Sequence, residues 1–258
     1  MTSASPSEIT ITHDQHVARI VISRPPHNFV DVDVMRRLSE ALQQLDADDS
    51  CRAVVLSSGV GTFCAGADFS GAADASVSRD PSSFYEQAMK LYRTRKPIVA
   101  AIEGAAVGAG LGLALVADFR VTCSEARFSA NFNRLGFHPG FGMSVTLPRL
   151  VGEQQAALLF YTGRRIGGEE AVRIGLADEL VEKAAVTTRA MALAHEIAAS
   201  APLAVESTRE TLRLGLADRV VQANQRELAI QRVQFRSADF REGVAAMAER
   251  RLPAFERR

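Results

Sequence analysis

The sequence predicts an α/β fold with a helical C-terminal region, and three observations support that prediction. A buried strand, a turn of small residues and a helix follow one another over residues 52–95, and a similar series covers residues 97–118. From about Ala184 to the end, apolar residues recur almost throughout at helical spacing. With 258 residues, 47% of them hydrophobic, the chain is long enough to bury one sizeable core.

The first sixty residues predict a hairpin, a helix and a buried strand. The β-rich runs Ile9–Thr12 and Val17–Ile22 are separated by a polar turn, which is typical of a hairpin. A helical pattern starts after Asp31, and Asp31 and Asp33 suit the N-terminus of a helix. The run Arg52–Ser57 predicts a short buried strand.

The remaining elements follow from the same periodicities. We predict, in chain order, a helix over Ser82–Arg95, a strand over Pro97–Ile102, an apolar helix ending near Asp118, a strand near Phe119–Cys123, an irregular segment over residues 126–142 and helices from Ser144 onward. We divide the chain into a core over residues 1–195 and a helical region over residues 196–258.

The amino-acid composition argues against several classes of function. Lys and Arg together number 30, as do Asp and Glu, so we expect no nucleic acid partner. The longest charge-free apolar stretch, between Glu103 and Asp118, is too short and too rich in glycine to span a bilayer, and no secretion signal is visible. Three cysteines without metal-ligand spacing predict neither disulfides nor a metal site. We therefore expect a cytoplasmic protein without membrane contact.

Two glycine-rich turns fail the usual phosphate-binding patterns. Gly108 and Gly110 lack the last glycine of G-x-G-x-x-G, because Leu113 stands there. Gly61-x-x-x-x-Gly66 is followed by Ala-Asp, where a phosphate loop has Lys-Ser/Thr. The sequence also lacks a G-x-S-x-G nucleophile turn and an H-E-x-x-H metal helix. Small-residue turns with free backbone N–H groups, one at the start of a helix, do suit a bound oxyanion.

These turns resemble the two oxyanion loops of the crotonase family of acyl-CoA enzymes. The first is FCAGAD over residues 63–68, and the second is EGAAVGAGLGLALVAD over residues 103–118. The resemblance continues from SRPPHN at residues 23–28 to REGVAAMAERRLPAF at residues 241–255, so it covers nearly the whole chain.

The resemblance implies a fold, a ligand and a set of residues. The fold would be the crotonase-like spiral of ββα units, with C-terminal helices that build a homotrimer or a hexamer. The substrate would be an acyl-CoA, with coenzyme A as part of the substrate and no further cofactor. The backbone N–H groups of Ala67 and Ala109 would hold the thioester oxygen and stabilise an enolate. Contacts to the acyl-CoA would come from Arg24, Ala65, Asp68, Phe69, Gly108, Phe132 and Arg250.

The sequence departs from the family pattern at its acid/base residues. Hydratases of the family have two glutamates that hold the attacking water. Gly112 and Phe132 occupy those positions in this sequence. Neither residue can carry a proton.

His138 is the leading candidate to replace the two glutamates, because free imidazole titrates near neutrality. The alternative, which we favour for the residue taken alone, is that His138 packs or hydrogen-bonds locally and holds the turn at Pro139 and Gly140. We interpret Cys64 as a small apolar filler.

Three functions stay open at this point. The chain could be an enzyme of the enoyl-CoA hydratase/isomerase class with a non-standard acid/base. It could be a binding protein for acyl-CoA without catalysis. It could also be a divergent crotonase, such as a hydrolase of a C–C bond in a β-keto substrate.

Overall fold

A computed structural model describes residues 8–67 and 80–258. The strands are β1 Ile9–Asp14, β2 Val17–Ile22, β3 Ala53–Ser58, β4 Ile98–Ile102, β5 Ala105–Val107, β6 Phe119–Thr122, β7 Arg127–Ser129, β8 Arg165–Gly167 and β9 Glu179–Leu180. The helices are α1 Val32–Ala47, α2 Ser82–Lys90, α3 Ala109–Val116, α4 Met143–Thr162, α5 Gly168–Arg173, α6 Val186–Ala198, α7 Pro202–Leu212, α8 Leu216–Gln234 and α9 Ala238–Ala248. Short 3₁₀ helices include Leu91–Arg93 and Asn131–Leu135.

The main sheet has the strand order β1-β2-β3-β4-β6-β9. Strands β1 and β2 form the predicted antiparallel hairpin, and each later neighbour pairs in parallel. Every residue of β3 and β4 is buried, as expected for central parallel strands that are covered on both faces. The parallel pairing places the turns after β3 and β4 at the same edge of the sheet.

A second sheet, which the sequence did not predict, has the order β5-β7-β8. Its strands are three residues long, which is too short for a visible alternation of apolar and polar residues. The predicted irregular segment over residues 126–142 is therefore wrong for Arg127–Ser129, which pair with both β5 and β8.

Helix α1 forms as predicted. The Asp31 carboxylate accepts a hydrogen bond from the Val34 N–H at 2.9 Å, which satisfies one of the free N–H groups at the helix start. Asp33 lies in the first turn, where the helix dipole favours an acid. The buried face consists of the apolar residues at helical spacing, Val34, Met35, Leu38, Leu42 and Leu45.

The C-terminal part is helical, as predicted. Helix α6, which contains residue 195, packs on the main sheet through the buried residues Val186, Ala190, Ala194 and Ala198. Helices α7 to α9 follow, and α8 packs against α2 and α4. Within residues 8–67 and 80–258, no helix is both long and apolar enough to cross a membrane.

Candidate functional site

The first glycine-rich turn pairs directly with the start of the second. The Cys64 N–H donates to the Ala105 carbonyl at 2.8 Å, and the Val107 N–H donates to the Cys64 carbonyl at 3.0 Å. Cys64 and Ala106 thereby form a parallel bridge. Two turns that are about forty residues apart in the sequence are thus held side by side.

Two glycines permit this close approach. A Cβ atom on Gly110 would lie 2.0 Å from the Cys64 carbonyl oxygen, which no side chain could tolerate. Gly66 has a φ of +114°, a conformation that favours glycine, and a Cβ atom there would lie 4.0 Å from the Ala109 nitrogen. The backbone at Gly66 therefore runs close to the N-terminus of α3.

The N–H groups of Ala67 and Ala109 have no acceptor in the described part of the chain. Ala109 is the first residue of α3, so its N–H has no partner within the helix. The neighbouring Gly108 N–H is used, because it donates to the Ser129 carbonyl at 2.9 Å. The arrangement offers two unused amide donors on adjacent turns, one of them at the positive end of a helix.

Asn28 anchors the first turn from the opposite side. Its side chain is fully buried, and Nδ2 lies 3.0 Å from the carbonyl oxygens of Ile22 and Thr62. Its Oδ1 accepts from the Arg24 N–H at 2.6 Å. The Ala65 N–H donates to the His27 carbonyl at 3.1 Å, so Ala65 also belongs to this fixed turn.

Phe141 occupies the space that a longer side chain at Gly112 would need. A Cβ atom on Gly112 would lie 2.5 Å from the Phe141 ring carbon Cγ. Phe141 is fully buried with a φ of +66°, and its ring packs edge-on against Phe84 and Tyr92, with centroids 6.1 and 6.4 Å away. Gly112 could be identified from the sequence and Phe141 could not, because no spacing rule links the two residues.

Phe132 lies in an aromatic cluster. It is buried on the short 3₁₀ helix, and its ring meets the Phe137 ring edge-to-face at 5.5 Å. The Phe137 ring in turn lies 4.9 Å from the ring of Phe235 and 5.7 Å from that of Phe240. These side chains supply apolar surface and no titratable group.

The hydrogen bond of His138 defines its tautomer. The ring Nδ1 lies 2.7 Å from the carbonyl oxygen of Pro139, which can only accept, so Nδ1 carries the hydrogen. In the neutral ring, Nε2 then keeps its lone pair. The side chain is half-buried, and the Nε2 atom of the neutral ring makes no hydrogen bond to the described residues.

Two glutamines of α8 hold the main chain of His138. The Gln234 side-chain oxygen accepts from the His138 N–H at 2.6 Å, and the Gln231 side-chain amide donates to the His138 carbonyl at 2.8 Å. Tyr85 donates its hydroxyl to the other end of the Gln231 amide at 3.0 Å. Neither glutamine could be identified from the sequence, since their partners lie more than ninety residues away.

Glu227 holds the next part of the same segment. It is fully buried and accepts hydrogen bonds from the Gly142 N–H at 2.7 Å and from the Ser144 N–H and hydroxyl at 3.0 and 2.6 Å. These donors lie at the start of α4, where a carboxylate is favoured. Burial outweighs these contacts and raises the pKa of Glu227.

The predicted contacts to coenzyme A differ in their surroundings. Arg24 forms ion pairs with Glu8 at 3.1 Å and with Asp31 at 2.9 Å, so a phosphate would have to compete with them. Arg250 lies just after α9 and is exposed. Asp68 and Phe69 lie outside the described residues. The contacts themselves remain predictions.

Cys64 is a buried thiol between the two turns. Its Sγ lies 3.8 Å from the Gly66 carbonyl oxygen, and the side chain has no exposed surface. Burial raises its pKa to about 12, so the thiol stays protonated near neutral pH. This agrees with the interpretation of Cys64 as a filler. In the described ranges, no cluster of three His, Cys, Asp or Glu residues could hold a metal ion.

Known proteins share this architecture over the whole chain. The structure of an enoyl-CoA hydratase/isomerase from Pseudoalteromonas atlantica superposes with a TM-score of 0.88 at 29% identity, covering 96% of this chain and 100% of that one. The chain thus has the crotonase fold, as predicted.

Sequence comparison identifies the family. The model of the enoyl-CoA hydratase/isomerase family matches residues 12–258. The chain is 34% identical over 264 residues to the probable enoyl-CoA hydratase EchA12 of Mycobacterium tuberculosis, which covers 96% of this chain and 93% of that protein. It is 32% identical to a probable enoyl-CoA hydratase of Bacillus subtilis, with 96% and 98% covered. The chain belongs to the enoyl-CoA hydratase/isomerase family.

Proposed function

We propose that the chain is an enzyme that binds an acyl-CoA thioester and stabilises the enolate formed from it. The N–H groups of Ala67 and Ala109 donate to the thioester oxygen. The observation that carries this proposal is the pairing of the two turns, which leaves both amides without another acceptor in the described residues. A single donor of this kind contributes about 3 kcal/mol to transition-state stabilisation in acyl-transfer enzymes.

His138 is the proposed base. Its Nε2 takes a proton from the substrate carbon next to the thioester, and the electron pair of the broken C–H bond moves to the thioester oxygen between the two amides. The proton then returns to another carbon of the acyl chain, which shifts a double bond. The geometry that supports this role is the Nδ1–H bond to Pro139, which leaves Nε2 unprotonated in the neutral ring.

Hydration by two carboxylates has little support. Gly112 has no side chain, and the space beside it contains the Phe141 ring. Phe132 belongs to the aromatic cluster. We therefore favour a reaction of the hydratase/isomerase class that proceeds through the enolate without a glutamate-held water.

The proposed protein needs no cofactor beyond the coenzyme A of its substrate. We further propose a cytoplasmic homotrimer or hexamer. Light scattering coupled to size-exclusion chromatography measures the oligomer directly, and a monomer would contradict this part of the proposal.

The test is a panel of 2-enoyl, 3-enoyl and β-keto acyl-CoA esters with products identified by mass spectrometry. We expect a shifted double bond from an enoyl ester, and His138→Gln should lower kcat by about 10²- to 10⁴-fold while the ester still binds. His195→Gln is the matched control, because His195 lies on α6 and pairs with Asp14 at the surface.

Each other outcome has a defined meaning. Tight ester binding without any product would favour the non-catalytic acyl-CoA carrier. Cleavage of a β-keto acyl-CoA by water into a carboxylic acid and a shortened acyl-CoA would favour the C–C bond hydrolase. Unchanged turnover in His138→Gln would remove His138 as the base, and failure of all esters to bind would remove the proposal.

A further inference from the structure

A cavity lies at the end of α3 opposite Ala109. It has a volume of about 520 Å³ and lies between the end of α3, helix α4 and helix α7. Much of its wall is aliphatic, including Leu115, Leu150, Ile197, Val205, Leu212 and Leu216. This volume and lining are typical of sites for small organic ligands. None of the predicted site residues lines it.

One wall of this cavity has excess positive charge. Arg149, Arg209 and Arg213 line it together with a single carboxylate, Asp118. Asp118 is already shared, because it accepts from Arg209 Nε and from an Arg213 NH group, each at 2.8 Å. Three guanidinium groups therefore face one acid that is fully engaged.

Arg149 differs from the other two arginines. Arg209 is bound by Asp118 and by the carbonyls of Thr94 and Arg95, so it has a structural role. The Arg149 side chain has no hydrogen bond or ion pair within the described residues. Partial burial lowers the pKa of Arg149, and repulsion from Arg213 lowers it further. The attraction of Asp118 acts in the opposite direction and raises the pKa.

The charges that surround Arg149 favour an anion. Arg213 and Arg219 repel it, and Asp118 is the acid that attracts it. Arg213 already donates to the Val116 carbonyl and to Asp118. An anion placed between Arg149 and Arg213 would satisfy the donors of Arg149 and relieve the repulsion between the two arginines. The adjoining aliphatic wall would at the same time accept an apolar chain.

We propose that this cavity is a second ligand site, which binds an amphiphile with one carboxylate and an unbranched apolar chain. Arg149 and Arg213 contact the carboxylate, and the chain lies along α7 against Leu150 and Val205. The proposal does not depend on the proposed reaction, since Ala67, Ala109 and the other predicted site residues do not line the cavity. The site and Ala109 are at opposite ends of a helix about 12 Å long.

Calorimetry with dodecanoate below its micelle concentration tests the proposal. We expect one site per chain, and Arg149→Gln should weaken binding at least tenfold. Ala204→Phe should also weaken it by filling the apolar part of the cavity, because Ala204 lines the wall. The matched control is Arg165→Gln, which changes an exposed arginine of β8 outside the cavity.

Three further measurements separate this site from others. Dodecyltrimethylammonium has the same chain with the opposite charge and should not bind, and acetate lacks the chain and should not bind. A saturating CoA ester should leave dodecanoate affinity unchanged, which excludes binding in the proposed acyl-CoA site.

The proposal is overturned if Arg149→Gln and Ala204→Phe both bind dodecanoate normally while remaining folded by circular dichroism. Equal binding of the ammonium compound would overturn it too. So would a change of oligomeric state in Arg149→Gln with unchanged dodecanoate affinity, because another copy of the chain would then cover the cavity.

Discussion

The paired turns and the segment from Phe132 to Ser144 differ in the groups that they offer for chemistry: main-chain groups in the turns and side chains in the segment. The turns offer main-chain N–H groups, so their function depends on the path of the backbone and on small residues such as Gly66 and Gly110. The segment offers side chains, and its chemistry changes with each replacement. This contrast explains how the proposed oxyanion donors are compatible with Gly112 and Phe132 at the two positions where the resemblance implies glutamates.

The largest effect is expected from removing one main-chain donor. Ala109→Pro deletes the N–H at the first position of α3, where proline is otherwise tolerated. We expect kcat/KM to fall by about 10²- to 10³-fold, or about 3–4 kcal/mol. Steady-state kinetics on the active ester measures this loss. Ala109→Gly keeps the N–H and should stay within a few-fold of the wild type, and equal activity of both variants would contradict the role of the backbone.

The next effect tests whether Gly112 and Phe141 are coupled. Gly112→Glu should destabilise the fold by about 1–3 kcal/mol, because its Cβ would overlap the Phe141 ring. The double variant Gly112→Glu/Phe141→Ala lacks the ring. Its loss of unfolding free energy should therefore be smaller than the sum of the losses in the two single variants. Urea unfolding of the four proteins provides the comparison. Strict additivity would show that the two positions are independent.

A similar or smaller effect is expected at the support of His138. Gln234→Leu leaves the His138 N–H without its acceptor, which costs about 1–3 kcal/mol in unfolding free energy. If that support positions His138, kcat should fall while KM changes little. Gln225→Leu is the control, since Gln225 is exposed on the same helix. A loss of stability with unchanged kcat would limit Gln234 to a structural role.

The smallest effect is a dependence of stability on pH. Burial raises the pKa of Glu227 above its ordinary value of 4.5, so the folded protein holds this proton more tightly than the unfolded chain. This contribution is complete below pH 4.5 and is lost as the pH rises through the raised pKa. Cys64, with a pKa of about 12, does not titrate in that range.

Urea unfolding at several pH values from 4 to 8 measures this dependence. The stability of the wild type relative to Glu227→Gln should decrease as the pH rises. A constant difference between the two proteins would show that Glu227 does not titrate differently on folding.

The sequence predicted the elements that have long or regular patterns. The hairpin, α1 with its Asp31 cap, the buried strands and the C-terminal helices were all found. The three-residue strands of the second sheet were not, because so few residues carry no periodic signal. The fold class was predictable because the full-length resemblance to a known family carries the topology.

The site was predictable only in part. The two turns could be recognised by their small residues, since close backbone approach requires them. The contacts of Phe141 with Gly112 and of Gln231 and Gln234 with His138 join residues about 29 to 96 positions apart. No local pattern encodes such contacts, because they arise from tertiary packing alone.

The buried Asn28 side chain has a consequence for the energetics of turnover. It ties the first turn to the end of β2, and Cys64 ties the same turn to β5, so the turn cannot reorient independently of the sheets. The conformational entropy of ordering these amides is therefore lost once, when the chain folds. Under the proposed function, a substrate would then meet donors whose backbone needs no reorganisation.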